Sequence, residues 1–63
     1  MRVLIIEDEA GLADVLKAEF EDANFDADTA DNGMDGYYMG MSDIYDVIIL
    51  DGMIFYQNGG HKV

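Results

Sequence analysis

With 63 residues, 14 of them acidic and 3 basic, the chain carries a net charge of -11, which excludes a basic nucleic-acid-binding face and favours cationic ligands or partners. It has no cysteine, so disulfides and thiolate metal sites are excluded as well. An apolar fraction of 51% is enough for one small folded domain, while the four apolar residues between Arg2 and Glu7 are too short a run for a signal peptide or membrane span; the expected location is the cytoplasm.

The first element is Val3-Leu4-Ile5-Ile6, an apolar run that ends in Glu7-Asp8-Glu9. Residues from about Glu9 to Ala23 place Leu12, Val15, Leu16 and Phe20 at helical spacing, with Asp14, Lys17, Glu21 and Asp22 on the wet side. The acids at the start of this helix suit the positive end of its dipole, and Asn24 is the expected stop. Phe25 to Ala30 alternates, with Phe25, Ala27 and Thr29 on one face and Asp26 and Asp28 turned outward; this predicts an edge strand. Asp31-Asn32-Gly33 is turn chemistry that opens a second helix from about Gly33 to Gly40. Met34, Tyr37, Tyr38 and Met41 form its apolar stripe and are expected to be core. Gly36 and Gly40 stand four apart, a spacing that admits close approach of another backbone, but no packing role is expected of it. Tyr45 to Asp51 then holds Val47-Ile48-Ile49-Leu50, a strand covered on both faces as in a parallel sheet. Residues 52 to 63 read as a loop because of their glycines, with His61, the one histidine, a solvated tail residue.

The order strand, helix, strand, helix, strand implies right-handed crossovers and a parallel sheet with the first strand in the middle, strand order 2-1-3. In that arrangement the carboxyl ends of the first and third strands lie together, which is where parallel α/β sheets bind ligands. Asp8 and Asp51 then converge, with Glu7 nearby. Carboxylates brought together repel unless a cation shares the site, and the hard oxygen donors suit Mg2+ or Ca2+. The structural alternative is that these acids solvate strand ends and start a helix. An EF-hand loop is excluded: counted from Asp28, Ala30 and Met39 fall where oxygen ligands are required. No glycine-rich nucleotide-binding motif or P-loop is present.

VLIIEDE and YDVIILDGM, at this separation and joined by a helix, an alternating strand and an A-D-N-G turn, resemble the receiver domain of two-component response regulators over nearly the whole chain. The resemblance implies an N-terminal half-receiver spanning residues 1–63, an α/β flavodoxin-like half-domain. It implies that Asp51 is the phosphoacceptor, that Glu7, Asp8 and Asp51 are Mg2+ ligands with the Met53 backbone carbonyl, and that a histidine kinase is the phosphodonor. No enzymatic role beyond Asp51 is implied. Phe55 stands where the family usually has proline and Asn58 where an aspartate often stands. The family's switch hydroxyl and its lysine fall outside the resemblance, and Lys62 is not assigned to replace the latter. Two functions fit these residues: a phosphorelay receiver segment impaired by truncation, and a structural, self-associating fragment without phosphotransfer. Both come with an expected homodimer, through a third strand whose outer edge has no partner in the chain.

Overall fold

Val3, Leu4 and Ile5 are fully buried because the strand that carries them is flanked on both sides. A computed structural model describes residues 1–56. In it β1 (Arg2–Ile6) pairs in parallel with β2 (Asp26–Ala30) on one side and with β3 (Val47–Leu50) on the other. Facing partners Val3↔Val47 and Ile5↔Ile49 share one face of the sheet, where they meet Ala27, Leu16, Phe20 and Phe25. Leu4 and Ile48 share the other, with Tyr45, Ala30, Ile6 and Met39. The predicted 2-1-3 parallel order is present, and β2 is an edge as its alternation implied.

Helix α1 (Ala10–Asp22) starts where Glu9 turns its carboxylate back onto the Leu12 amide, at 2.6 Å. It ends as Asn24 adopts a left-handed φ of 70°. The Phe25 amide then reaches the Phe20 carbonyl (2.9 Å) and the Asn24 amide the Glu21 carbonyl (3.0 Å). These two bonds form a Schellman stop, whose accompanying apolar contact is the edge-on packing of Phe20 against Phe25 at 5.3 Å. Ala13, Leu16 and Phe20 face the sheet, whereas Leu12 and Val15 from the expected stripe are largely exposed.

Helix α2 (Gly33–Gly40) departs further from expectation. Its large residues Met34, Tyr37 and Tyr38, with Met41 just beyond its end, are 63–69% exposed, and Gly36, Gly40 and Met39 carry the packing instead. A Cβ on Gly36 would lie 2.5 Å from Ile6 Cδ1, and one on Gly40 would lie 3.4 Å from Ile48 Cδ1. The sheet supplies the volume here through Leu4, Ile6 and Ile48, so the helix face that meets it has to be small. The Gly36/Gly40 spacing therefore has a packing role, contrary to expectation.

After Asp51 the chain does not loop but turns back as β4 (Met53–Tyr56), antiparallel to β3 with Leu50↔Met53 and Ile49↔Ile54 opposed. Asp51 and Gly52 have φ of 53° and 78°, the double positive φ of a type I′ hairpin turn. Aspartate-glycine between two apolar runs is the local signal for such a turn, and it accounts for the departure. As a result β3 is an interior strand and its outer edge is covered, contrary to the expectation on which dimerisation through β3 rested. Phe55 lies in this strand; Asn58, His61 and Lys62 lie outside the described residues.

A polar network joins β1, β2 and the residues that lead into β3. Tyr45, almost wholly buried, donates from its hydroxyl to Asp28 (2.7 Å), and Arg2 Nη1 donates to the same carboxylate oxygen (3.1 Å). The Arg2 amide also donates to the Asp46 side chain at 2.9 Å. Asp28 is thus half-buried and bonded rather than turned out to water, and Thr29 is the exposed residue. The Tyr45 hydrogen bond, with Arg2 beside it, holds Asp28 below its ordinary 3.8 against the opposing effect of burial. Burial, followed by the Asp28 hydrogen bond, pushes Tyr45 up to about 12. The signs differ in their windows. The Asp28 contribution is present above pH 3.8 and is lost as pH falls below it; the Tyr45 contribution is present below pH 10.0 and is lost as pH rises toward about 12. Tyr45→Phe is expected to cost about 1–2 kcal/mol at neutral pH by urea denaturation, the scale of a hydrogen bond to a charged group. That cost should shrink in acid, where parent and variant both lose the carboxylate; an equal cost across the range would remove Asp28 from the account.

Candidate functional site: an acidic cleft at the carboxyl ends of the strands

The parallel pairing of β1 and β3 brings the residues that follow both strands to the same side of the sheet. There Ile6, Glu7, Asp8, Asp31, Asn32, Gly33, Leu50 and Asp51 line one open cleft of about 340 Å³. Glu7, Asp8 and Asp51 thus share a cleft, as the strand order implied. Asp31 and Asn32, brought in by the turn between β2 and α2, were not among the expected site residues; their signal was the position of that turn at the carboxyl end of an adjacent parallel strand.

Each side chain is held differently. Glu7 accepts from the Glu9 amide at 3.1 Å, so it serves the entry to α1. Asn32 caps α2 through Oδ1, which accepts from the Asp35 amide (2.8 Å), while its Nδ2 donates to Asp31 (2.7 Å) and to Asp35 (3.0 Å). Asp8 and Asp51 have no hydrogen-bond partner among the described residues, which leaves their carboxylates available to a ligand. Asp51 occupies the first central position of the hairpin turn, an exposed residue at positive φ.

Among the described residues no basic and no hydroxyl side chain lines the cleft, and four carboxylates face it. Hard oxygen donors of this kind match Mg2+ chemistry. Among the described residues, however, no three acidic or histidine side chains are gathered closely enough to enclose a metal ion. The donors suit the ion by type, and a bound ion would have to draw them together. Met53 is not part of the lining. It is the closing partner of Leu50 in a two-residue hairpin, where the pair exchanges ladder hydrogen bonds, so its carbonyl is turned to β3.

A parallel 2-1-3 sheet, a helix on each face and an acidic cleft at its carboxyl edge make up half of a flavodoxin-like domain. Comparison with known proteins agrees. The chain is 44% identical over 59 residues to the transcriptional regulatory protein CusR of Escherichia coli K12 and 41% identical over 59 residues to the probable transcriptional regulatory protein SilR of Salmonella typhimurium. It is 43% identical over 58 residues to the response regulator ArlR of Staphylococcus aureus. These matches take in 92–94% of the chain and 26% of each relative, so the chain spans about a quarter of their length. The chain is a homologue of the response regulators and corresponds to part of their receiver domain. No family model and no solved structure matches it. Among the described residues, no helix is long and apolar enough to cross a membrane.

Proposed function

We propose that this chain is a receiver-type phosphoacceptor segment, with Asp51 the nucleophile and Glu7 and Asp8 the carboxylates that, with Asp51, hold Mg2+. The observation that carries this reading is the shared cleft of Glu7, Asp8 and Asp51 at the carboxyl ends of β1 and β3. In the reaction an Asp51 oxygen attacks phosphorus of the donor and the donor's leaving group departs in line. The ion, when bound, neutralises charge on the phosphoryl oxygens. The hairpin presents the Asp51 carboxylate to solvent and to the donor, and Asp8 supplies a charge with no other partner among the described residues. Met53 joins the ligand set only if the Leu50–Met53 pair opens. The phosphodonor is a histidine kinase, by homology, and the setting is the cytoplasm.

Because no lysine or hydroxyl residue among the described residues lines the cleft, transition-state charge is poorly compensated there and labelling should be slow. Incubation with a small acyl phosphate and Mg2+, read by intact mass, is expected to give slow, substoichiometric addition of one phosphoryl group that disappears in Asp51→Asn. Labelling that survives this substitution would reassign the acceptor. The melting temperature should also rise with Mg2+, by the equivalent of about 1.4 kcal/mol at ten times the dissociation constant. Asp51→Asn, which keeps a residue tolerant of positive φ, should weaken that response. A curve unmoved by millimolar Mg2+ would sink the metal assignment.

A second reading, self-association, is favoured by β4. All four of its residues are exposed (47–65%), and among the described residues no charge, proline or bulge guards its outer edge. The register makes Leu50↔Met53 the hydrogen-bonded closing pair, so Ile54 and Tyr56 direct their N–H and C=O groups outward. A second copy aligned antiparallel along β4 would continue the sheet across a two-fold axis. The net charge opposes this, and salt should strengthen it. Sedimentation at tens of micromolar is expected to show a dimer that Ile54→Pro converts to a folded monomer; a parent chain that sediments as a monomer would end this reading.

A further inference from the structure

We propose that Asp51–Gly52 is a self-modifying site, at which the backbone isomerises through a cyclic imide. The Gly52 amide nitrogen attacks Cγ of the Asp51 side-chain carboxyl group. An N–Cγ bond forms, and the amide proton leaves with the carboxyl hydroxyl as water. Hydrolysis of the five-membered imide by one water then breaks either of its two C–N bonds. One cleavage restores aspartate, and the other leaves the chain running through Cγ as isoaspartate. No oxidant, reductant or other co-reactant is needed.

The chain offers this chemistry at three described places: Asn32–Gly33, Asp35–Gly36 and Asp51–Gly52. Structure separates them. At Asn32 the side-chain amide is fixed by three hydrogen bonds, one accepted from the Asp35 amide and two donated to Asp31 and Asp35. At Asp35 the carboxylate accepts from Asn32, and the nitrogen that would attack, that of Gly36, is inside α2 and bonded to the Asn32 carbonyl at 3.0 Å. Neither side chain can swing onto the following nitrogen without breaking a helix cap or a helical turn. At Asp51 none of these restraints operates. Its side chain is exposed and has no partner among the described residues. In a type I′ turn the closing bonds join the two flanking residues, here Leu50 and Met53, so the Gly52 N–H is not consumed by the hairpin. Among the described residues nothing lies within 4 Å of where a Gly52 side chain would project, so they leave the approach open.

Isomerisation would insert one extra backbone carbon into a two-residue turn. The Leu50↔Met53 register depends on that turn having two residues of normal length, so β4 would be released from β3. The same event removes the Asp51 carboxylate from the cleft. This proposal does not depend on phosphotransfer and can fail or succeed independently of it.

The test is storage of the whole chain in warm, near-neutral buffer, folded and in concentrated urea, followed by peptide mapping that distinguishes isoaspartate from aspartate at each position. In the folded chain isoaspartate is expected at residue 51 while Asn32 and Asp35 stay unmodified. In urea the order should invert, since an asparagine before glycine cyclises faster than an aspartate once both are free. Gly52→Asn tolerates positive φ and keeps the turn, but places a side chain beside the attacking nitrogen. It should slow the reaction about tenfold, a modest displacement from a near-attack geometry. An unmodified Asp51 in a folded chain whose Asn32 deamidates would overturn the proposal. So would a folded Gly52→Asn variant that isomerises as fast as the parent. If that variant does not fold, the comparison between folded and urea-treated parent still decides.

Discussion

Gly36→Val is expected to remove about 3 kcal/mol of stability, a large part of what a chain of this size holds. The first atom added would fall 2.5 Å from Ile6 Cδ1, 2.7 Å from Cγ1 and 3.0 Å from Cγ2. Moving only the tip of Ile6 does not relieve this, because both γ carbons are involved and a β-branched side chain has little χ1 freedom. The helix must therefore lift from the sheet, which uncovers Leu4 and Ile48 as well as Ile6. Valine adds two further methyl groups and a poorer helix propensity. Gly36→Ala should be milder, since alanine regains about 1 kcal/mol of helix propensity against the same first clash. Adding Ile6→Ala should restore much of what Gly36→Val loses, although each change alone destabilises. Urea midpoints of the four proteins settle it, and additive losses would mean that Gly36 and Ile6 do not share the contact.

Proline at position 49 should unfold the protein, whereas proline at position 54 should not. Ile49 is buried, with β1 on one side and β4 on the other. Its pairing with Ile54 falls between the hydrogen-bonded pairs of the hairpin, so its N–H is directed to β1. Proline there deletes a bond at the centre of the sheet and disrupts a side chain packed among Val3, Ile5, Ala27 and Val47. Several kcal/mol, about 3 or more, is the expected cost. Ile54 sits opposite, with its N–H directed to the open edge, where a proline breaks no ladder bond. Circular dichroism and urea titration of the two variants test the topology directly. Equal destabilisation by both would show that β4 does not lie at the edge with Ile54 opposite Ile49.

The acids at the ends of the first and third strands, the apolar runs before them and the helical spacing between them were legible in the order of residues. Each depends on neighbours close in sequence or on the rule that crossovers in parallel sheets are right-handed. From these alone came the 2-1-3 sheet, and with it the meeting of Glu7, Asp8 and Asp51 in one cleft. The hairpin was legible too, in Asp51-Gly52 between apolar runs, although the glycines further on favour a loop over the same residues. What the residue order did not decide was how α2 is rotated about its axis. Its large stripe and its glycine stripe are both possible contact faces by periodicity, and the choice rests on the opposing surface: Leu4, Ile6 and Ile48 already fill the space, so only the glycine face approaches closely enough. The role of Asp28 was hidden for the same reason. An aspartate on an edge strand reads as a solvated charge until Tyr45, 17 residues later, and Arg2, 26 residues earlier, are folded onto it. Local patterns determined the elements and their order; only packing across the sheet determined which face of each element meets the others, because that is a property of two surfaces and not of one.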